Sequence, residues 1–159
     1  MRKIALILVL VLVVPALSAD LPATTEAVVE GLLKFGFKYV GLEGNALVYR
    51  ARGAAARVKV GSDGRITEAG VVFSADADTE TIAGALALYY YALQADMGKP
   101  RYKDPISTIS LKMKRLLDAV SHNLKINNST KFEFDDLQVI GLKLQAEKAV
   151  ALVFRPYLR

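Results

Sequence analysis

Residues 74–93 read SADADTETIAGALALYYYAL, an acidic entry that leads into the most apolar stretch beyond the N-terminus. In a helix, at about 100° per residue, this stretch has one apolar stripe and a second apolar surface opposite it. The stripe contains Ile82, Leu86, Tyr89, Tyr90, Leu93 and Met97, and the opposite surface contains Gly84, Ala87, Leu88, Tyr91 and Ala95. A helix that is apolar on all sides must be covered on both sides. The stretch therefore predicts a buried central helix over residues 79–97.

The acidic entry has the alternation of a calcium-binding loop. Asp76, Asp78 and Glu80 fit its alternating acidic positions, but Thr81 stands where such loops have glycine. Ala87 stands where they have a bidentate glutamate. Carboxylates that precede a helix also cap its amides and complement its dipole. We therefore predict that Asp76 or Asp78 caps the central helix, and we predict no metal site and no cofactor.

The flanking sequence predicts the remaining elements. A helix that ends at Gly36 precedes strands near residues 37–42, 47–52, 55–60 and 65–73, with Gly70 as a candidate bulge. Beyond the central helix, an amphipathic pattern predicts a third helix over residues 106–125, followed by two or three strands within residues 132–154. This order predicts the α+β class: a two-layer fold with an antiparallel sheet of about five to seven strands and helices packed on one face.

The N-terminus has the parts of a signal peptide. The basic residues Arg2 and Lys3 precede an unbroken apolar run over residues 4–14 and a small-residue exit. Even if it extends to residue 17, this apolar helix spans only about 21 Å, against a hydrocarbon core of about 30 Å. The length favours cleavage over a membrane anchor.

Cleavage after Ser18 or Ala19 divides the chain into a signal peptide, residues 1–19, and a single α+β domain, residues 20–159. The mature protein is then secreted or periplasmic, with no transmembrane segment. The chain has no cysteine, which excludes disulfides and thiolate sites. Loss of two basic residues lowers the formal net charge from +5 to +3. This charge is too mild to indicate specific nucleic-acid binding.

Basic residues alternate along two neighbouring strands. Arg50 and Arg52 share one strand face, and Arg57 and Lys59 share a face of the next. A hairpin centred on Gly53 brings both pairs to the sheet face opposite the helices. Like charges at close range are unfavourable, which favours an anionic partner, either a protein or an anionic surface. The alternative is the ordinary solvated face of a one-sided sheet.

The second surface of the central helix is a candidate interface. Its residues Gly84, Leu88, Tyr91 and Ala95 either pack on another subunit or enclose an apolar ligand, unless the third helix covers them. The sequence accordingly leaves both a monomer and a homodimer open.

No recognisable catalytic constellation is present. His122 is the sole histidine; Asp118 lies one helical turn away, whereas the adjacent Ser121 points about 100° from it. A second acidic cluster lies on a predicted strand and contains Glu133, Asp135 and Asp136. Phosphate-binding, nucleophile-elbow and zinc motifs are missing from the mature sequence. We predict no catalytic residues and a non-enzymatic protein.

Three functions follow in order of preference. The first is a chaperone-like, inhibitor-like or adaptor-like binding domain that uses the basic sheet face. The alternative is a carrier that holds an apolar small molecule between the sheet and the central helix. The second alternative is a hydrolase that uses His122 or an acidic cluster.

Overall fold

The computed structural model describes residues 25–97 and 106–157. The signal peptide predicted over residues 1–19 lies outside these ranges. The helices are α1 (Thr25–Lys34), α2 (Thr79–Asp96) and α3 (Ile106–Ile126). The strands are β1 (Lys38–Glu43), β2 (Ala46–Ala51), β3 (Ala54–Val60), β4 (Ile66–Ser74), β5 (Ser129–Phe134), β6 (Leu137–Leu144) and β7 (Ala149–Pro156).

The seven strands form one antiparallel sheet in the order β1-β2-β3-β4-β7-β6-β5. Two meanders, β1 to β4 and β5 to β7, meet where β4 pairs with β7 at the centre. The helices pack on one face of this sheet. The α+β two-layer prediction is therefore confirmed. Among the described residues, no helix has the length and apolar character needed to cross a membrane.

Helix α2 begins directly after Asp78. The Asp78 carboxylate accepts hydrogen bonds from the backbone N–H of Thr81 at 3.0 Å and from its hydroxyl at 2.9 Å. This is the N-cap geometry, in which a side-chain oxygen satisfies an amide of the first turn. The acidic entry thus starts the helix through Asp78 rather than Asp76.

The main stripe of α2 faces the sheet. The Tyr89 hydroxyl donates to the carbonyl of Gly70 at 3.0 Å, and the Tyr89 ring lies edge-on to Phe154, 6.3 Å between centroids. Burial, with a smaller contribution from Tyr49, raises the pKa of Tyr89 far above its ordinary value. A polar atom of the buried helix is thereby satisfied by the sheet beneath it.

The bulge expected at Gly70 is absent from β4. Gly70 pairs regularly with Arg57 on one side and Val153 on the other. The irregularity lies where the pairing shifts between Lys59 and Val60. At Gly70 a side chain would press on Val153, since a Cβ there would lie 3.2 Å from the valine methyl. The glycine reflects close packing rather than a bulge.

Helix α1 covers the opposite side of α2. A Cβ at Gly31 would lie 2.5 Å from a Leu88 methyl, and a Cβ at Gly84 would lie 2.6 Å from ring carbons of Phe35. Gly31 therefore lets α1 approach α2 closely, and Gly84 leaves room for the Phe35 ring just beyond the end of α1. Leu88 and Tyr91 are buried as a result. Coverage by α1, rather than by the third helix, is the arrangement that the sequence did not indicate.

Helix α3 packs on a different part of the sheet. It contacts β5 and β6 through buried residues of its apolar stripe, whereas α2 lies mainly over β4 and also contacts β7 and β6. These buried residues of α3 are Met113, Leu116, Val120 and Leu124. The two helices are centred over different strands, although both reach β6, and a cleft lies between them.

Candidate functional site

An apolar cleft lies between α2, α3 and the sheet. It consists of two adjoining cavities of ≈ 300 Å³ and ≈ 400 Å³, and Phe73 and Leu117 line both of them. The smaller cavity lies at the start of α2, where Ile82 and Leu86 form its wall. The larger runs along α3 beside residues that include Leu124. Volumes in this range are those of small-molecule pockets in proteins.

The sheet forms the floor of the cleft. Phe73 on β4 and Val150 on β7 are directly opposite one another and face the helices. Both are only partly buried, although their side chains pack against the core. Leu117 above them is also partly buried. A sheet position that faces the helices is ordinarily covered completely, so the partial burial marks incomplete coverage by α2 and α3.

Polar groups at one end of the cleft come from α3 and β6. Ser121, Lys125 and Lys143 line the larger cavity there. The pairing of Lys143 with Val150 places it on the helix-facing side of β6. No acidic side chain of the described residues lines either cavity. The cleft is therefore apolar along its length and cationic at one end.

Three of the four predicted basic residues lie on the outer sheet face, opposite the helices. The cross-strand pairs are Arg50 with Ala55, Arg57 with Val48, and Lys59 with Ala46. Arg52 lies in the turn between β2 and β3. Across the β2–β3 pair, the three strand cations therefore lie opposite alanine or valine rather than opposite one another. One like-charged pair is directly opposed, because Lys38 of β1 pairs with Arg50.

Acidic residues interrupt this basic face. Arg57 lies 3.5 Å from the carboxylate of Glu43. Lys59 lies directly opposite Glu68, whose carboxylate accepts two contacts from Arg155 at 2.6 and 2.7 Å. Exposed pairs of this kind contribute little to stability, but they reduce the local excess of positive charge. Arg57 and Lys59 therefore each have an acidic neighbour, whereas Arg50 lies opposite Lys38.

The centre of the outer face is apolar, a feature that sequence reasoning missed. Val72, Val153, Ile140 and Leu142 follow one another across neighbouring strands on this side. Leu142 is 39% exposed. The sequence contains the pattern that predicts this apolar surface. Alternation along β6 places Leu137 and Val139 on one face of the sheet and Ile140 and Leu142 on the other.

A polar cluster joins the β5–β6 turn to the helices. The Asp135 carboxylate accepts a hydrogen bond from the Tyr90 hydroxyl at 2.6 Å and lies 3.2 Å from the Lys112 ammonium. The buried Gln94 side chain donates to the Asp135 carbonyl. Asp135 and Asp136 both have positive φ, 48° and 64°, as a tight hairpin turn requires. The sequence does not indicate this cluster, because its members lie far apart along the chain.

Two members of the predicted acidic cluster, Glu133 and Asp135, lie on different sides of the sheet. Glu133 pairs with Gln138 on the outer face, whereas the Asp135 carboxylate reaches the helix layer. Asp136 contributes its carbonyl, which accepts a hydrogen bond from the Tyr157 amide at 2.9 Å. The contacts of Asp135 with Tyr90 of α2 and Lys112 of α3 hold this turn in place and account for the conformation of Asp135.

The remaining candidates lie on the surface. His122 and Asp118 are both exposed, and within residues 106–157 no ion pair joins them. Ser121 points into the cleft, away from His122. In the described ranges, no group of three His, Asp or Glu side chains is placed to hold a metal ion.

The candidate interface on α2 is occupied within the chain. Leu88 contacts Gly31 of α1, and Gly84 lies against Phe35, the residue after α1. Tyr91 packs edge-on against Tyr90, 5.2 Å between ring centroids. The side chain of Ala95 lies outside the described part of the structure.

Comparisons of the chain with protein-family models, curated proteins and solved structures find no match. The functional inference therefore depends on the geometry of this chain.

Proposed function

We propose that this protein binds an apolar small molecule in the cleft between α2, α3 and the sheet, and that it acts as a carrier. The observation that supports this function is the pair of adjoining cavities that share Phe73 and Leu117. Partly buried apolar side chains line these cavities, and a ligand would remove their remaining surface from water.

The apolar walls set the expected energetics of binding. Each methylene group that a ligand buries contributes about 0.8 kcal/mol, which corresponds to roughly a fourfold change in Kd. Affinity therefore rises with chain length until the cleft is filled. A ligand of this kind needs few directional contacts, in keeping with a site that is mostly hydrophobic and has its polar groups at one end.

The proposed carrier works outside the cytoplasm. The N-terminal pattern supports export through a cleaved signal peptide, with the mature chain beginning after Ser18 or Ala19. N-terminal sequencing of protein recovered from the medium or periplasm tests this proposal. An intact N-terminus on the exported protein would contradict it.

Binding of Nile red, a neutral dye whose fluorescence rises in apolar surroundings, tests the carrier function. The Leu117→Trp substitution fills the junction of the two cavities, and we expect it to weaken binding at least about tenfold. Leu111→Trp is the matched control, because Leu111 lies on the same helix, is 49% exposed and does not line the cleft. The control variant should bind the dye as the parent does.

Two results would refute the carrier function. One is the absence of saturable dye binding by the folded mature protein. The other is an equal effect of the Leu117→Trp and Leu111→Trp substitutions. Native mass spectrometry of protein purified from its own compartment adds a second readout, since a carrier should retain a small-molecule ligand under gentle conditions.

A second candidate function is binding of an anionic macromolecule by the outer face. The directly opposed Lys38 and Arg50 favour it, because neither forms an ion pair with a described acidic residue. Glutamine at Arg50, Arg52, Arg57 and Lys59 should lower retention on immobilised heparin with little change in Tm. The matched control replaces four exposed cations that lie off the outer face, Lys34, Lys114, Arg115 and Lys148, by glutamine. An equal loss of heparin retention in both variants would show that retention depends on net charge rather than on the outer face, and would contradict this candidate.

A further inference from the structure

We infer that the ligand of the cleft is a single-chain anionic amphiphile, with its carboxylate or phosphate head group at Lys125 and Lys143 and its apolar chain along Leu117 and Phe73. This inference rests on the proposed carrier function, because it assigns the chemistry of the ligand in the same cleft. Three features of the cleft support it.

The first feature is the position of Lys143 in β6. Its helix-facing neighbours along the strand are Leu137, Val139 and Gly141, which are all buried. Lys143 continues this series and pairs with the apolar Val150. Burial of an unpaired ammonium would be costly, and Lys143 remains exposed where the apolar wall ends. The helix-facing side of β6 therefore changes from buried residues to an exposed cation at the opening of the cleft.

The second feature is the convergence of Lys125 on the same cavity. Lys125 lies in the last turn of α3, where a cation also complements the helix dipole. That role explains Lys125 alone, since Lys143 belongs to a strand. Ser121, one turn earlier on α3, adds a hydroxyl donor to the same lining. Together they offer two cations and a donor to one head group, the usual complement of an anionic oxygen.

The third feature is the asymmetry of charge along the cleft. Neither Lys125 nor Lys143 forms an ion pair with an acidic side chain in the described part of the chain. The smaller cavity, at the other end, is lined among the described residues by apolar side chains together with Ser74 and Thr79. A ligand with one charged end therefore has one favourable orientation, with its chain directed towards the start of α2.

Displacement of Nile red from the mature protein by dodecanoate, dodecyl phosphate and dodecanol tests this assignment. The three competitors share one apolar chain and differ in head group. The test variant is Lys125→Gln/Lys143→Gln. The control variant is Lys59→Gln/Lys131→Gln, which removes the same charge from the outer face.

We expect the parent and the control to bind the anionic competitors about tenfold more tightly than dodecanol, as two partly exposed ion pairs allow. The advantage should fall to about twofold or less in the test variant. It should also shrink at high salt, because the lysines are open to solvent. The relative affinity of dodecanoate and dodecyl phosphate then identifies the preferred head group.

Equal affinity of all three competitors for the parent would overturn the assignment and leave the carrier function standing. An anion advantage that persists in the test variant would also overturn it. Displacement by none of the three would refute the carrier function itself. Concentration-dependent dimerisation in analytical ultracentrifugation that Leu117→Trp abolishes would assign the cleft to a second copy and would overturn both proposals.

Discussion

The contact between α1 and α2 predicts a strong dependence of Gly84→Ala on the residue at position 35. In the structure a Cβ at position 84 would lie 2.6 Å from two ring carbons of Phe35. That distance is below van der Waals contact, so the Phe35 ring or the whole of α1 must move when the methyl group is added. The same methyl group has a favourable effect within α2, because alanine is a better helix former than glycine.

The two effects have magnitudes that can be compared. Replacing glycine by alanine inside a helix stabilises by about 1 kcal/mol, whereas overpacking a tight contact costs about 1 to 3 kcal/mol. We therefore expect Gly84→Ala to destabilise the parent by up to about 2 kcal/mol. In a Phe35→Ala background the overpacking is removed, and the same change should stabilise by up to about 1 kcal/mol.

Urea unfolding of the four proteins of this double-mutant cycle measures the coupling between the two positions. Leu33→Ala is the control background, because Leu33 lies on α1 but is 51% exposed. There Gly84→Ala should behave as it does in the parent. If Gly84→Ala has the same effect with and without the Phe35 ring, α1 does not cover α2 in this way.

Three further changes test other parts of the structure. Tyr89→Phe should cost about 1 kcal/mol, because it removes the hydrogen bond to Gly70. Below pH 10 the folded and unfolded phenols are both protonated; above it only the unfolded phenol ionises, since burial raises the folded pKa. Above pH 10, the free energy of unfolding of the parent, measured in urea, should therefore fall by up to about 1.4 kcal/mol per pH unit more than that of Tyr89→Phe. If the free energies of unfolding of the two proteins change in parallel with pH, Tyr89 is not buried. Leu93→Ala should cost about 2 to 5 kcal/mol by chemical denaturation, and a loss below about 1 kcal/mol would contradict its burial in the core. Lys148→Gly should raise Tm and stabilise by up to about 1 kcal/mol, because Lys148 is exposed at a φ of 50°; a clear loss of stability would contradict that turn geometry.

Much of the fold is encoded in local patterns. Helix α2 was predictable from an apolar run behind a capping carboxylate, and the strands from alternation interrupted by turns. The pairing of β4 with β7 was not, because it joins segments separated by both long helices. Coverage of Gly84 by Phe35 also depends on the angle between two helices, which no single periodicity specifies.

The candidate sites show the same division. The outward position of Arg57 and Lys59 follows from strand alternation, whereas their neighbours Glu43 and Glu68 come from other strands. The cleft was still less accessible to sequence reasoning. Leu117 fits the amphipathic pattern predicted over residues 106–125, and its incomplete burial arises because α2 and α3 are centred over different strands.

The binding of a ligand in the cleft is tested most directly by methyl NMR spectra of the mature protein during titration with dodecanoate. We predict saturable shifts at Leu117, Val120 and Leu124, which line the larger cavity, and none at Leu142 on the outer face. Unchanged cleft methyl signals, or shifts that are largest at Leu142, would contradict a carrier that holds its ligand between the helices and the sheet.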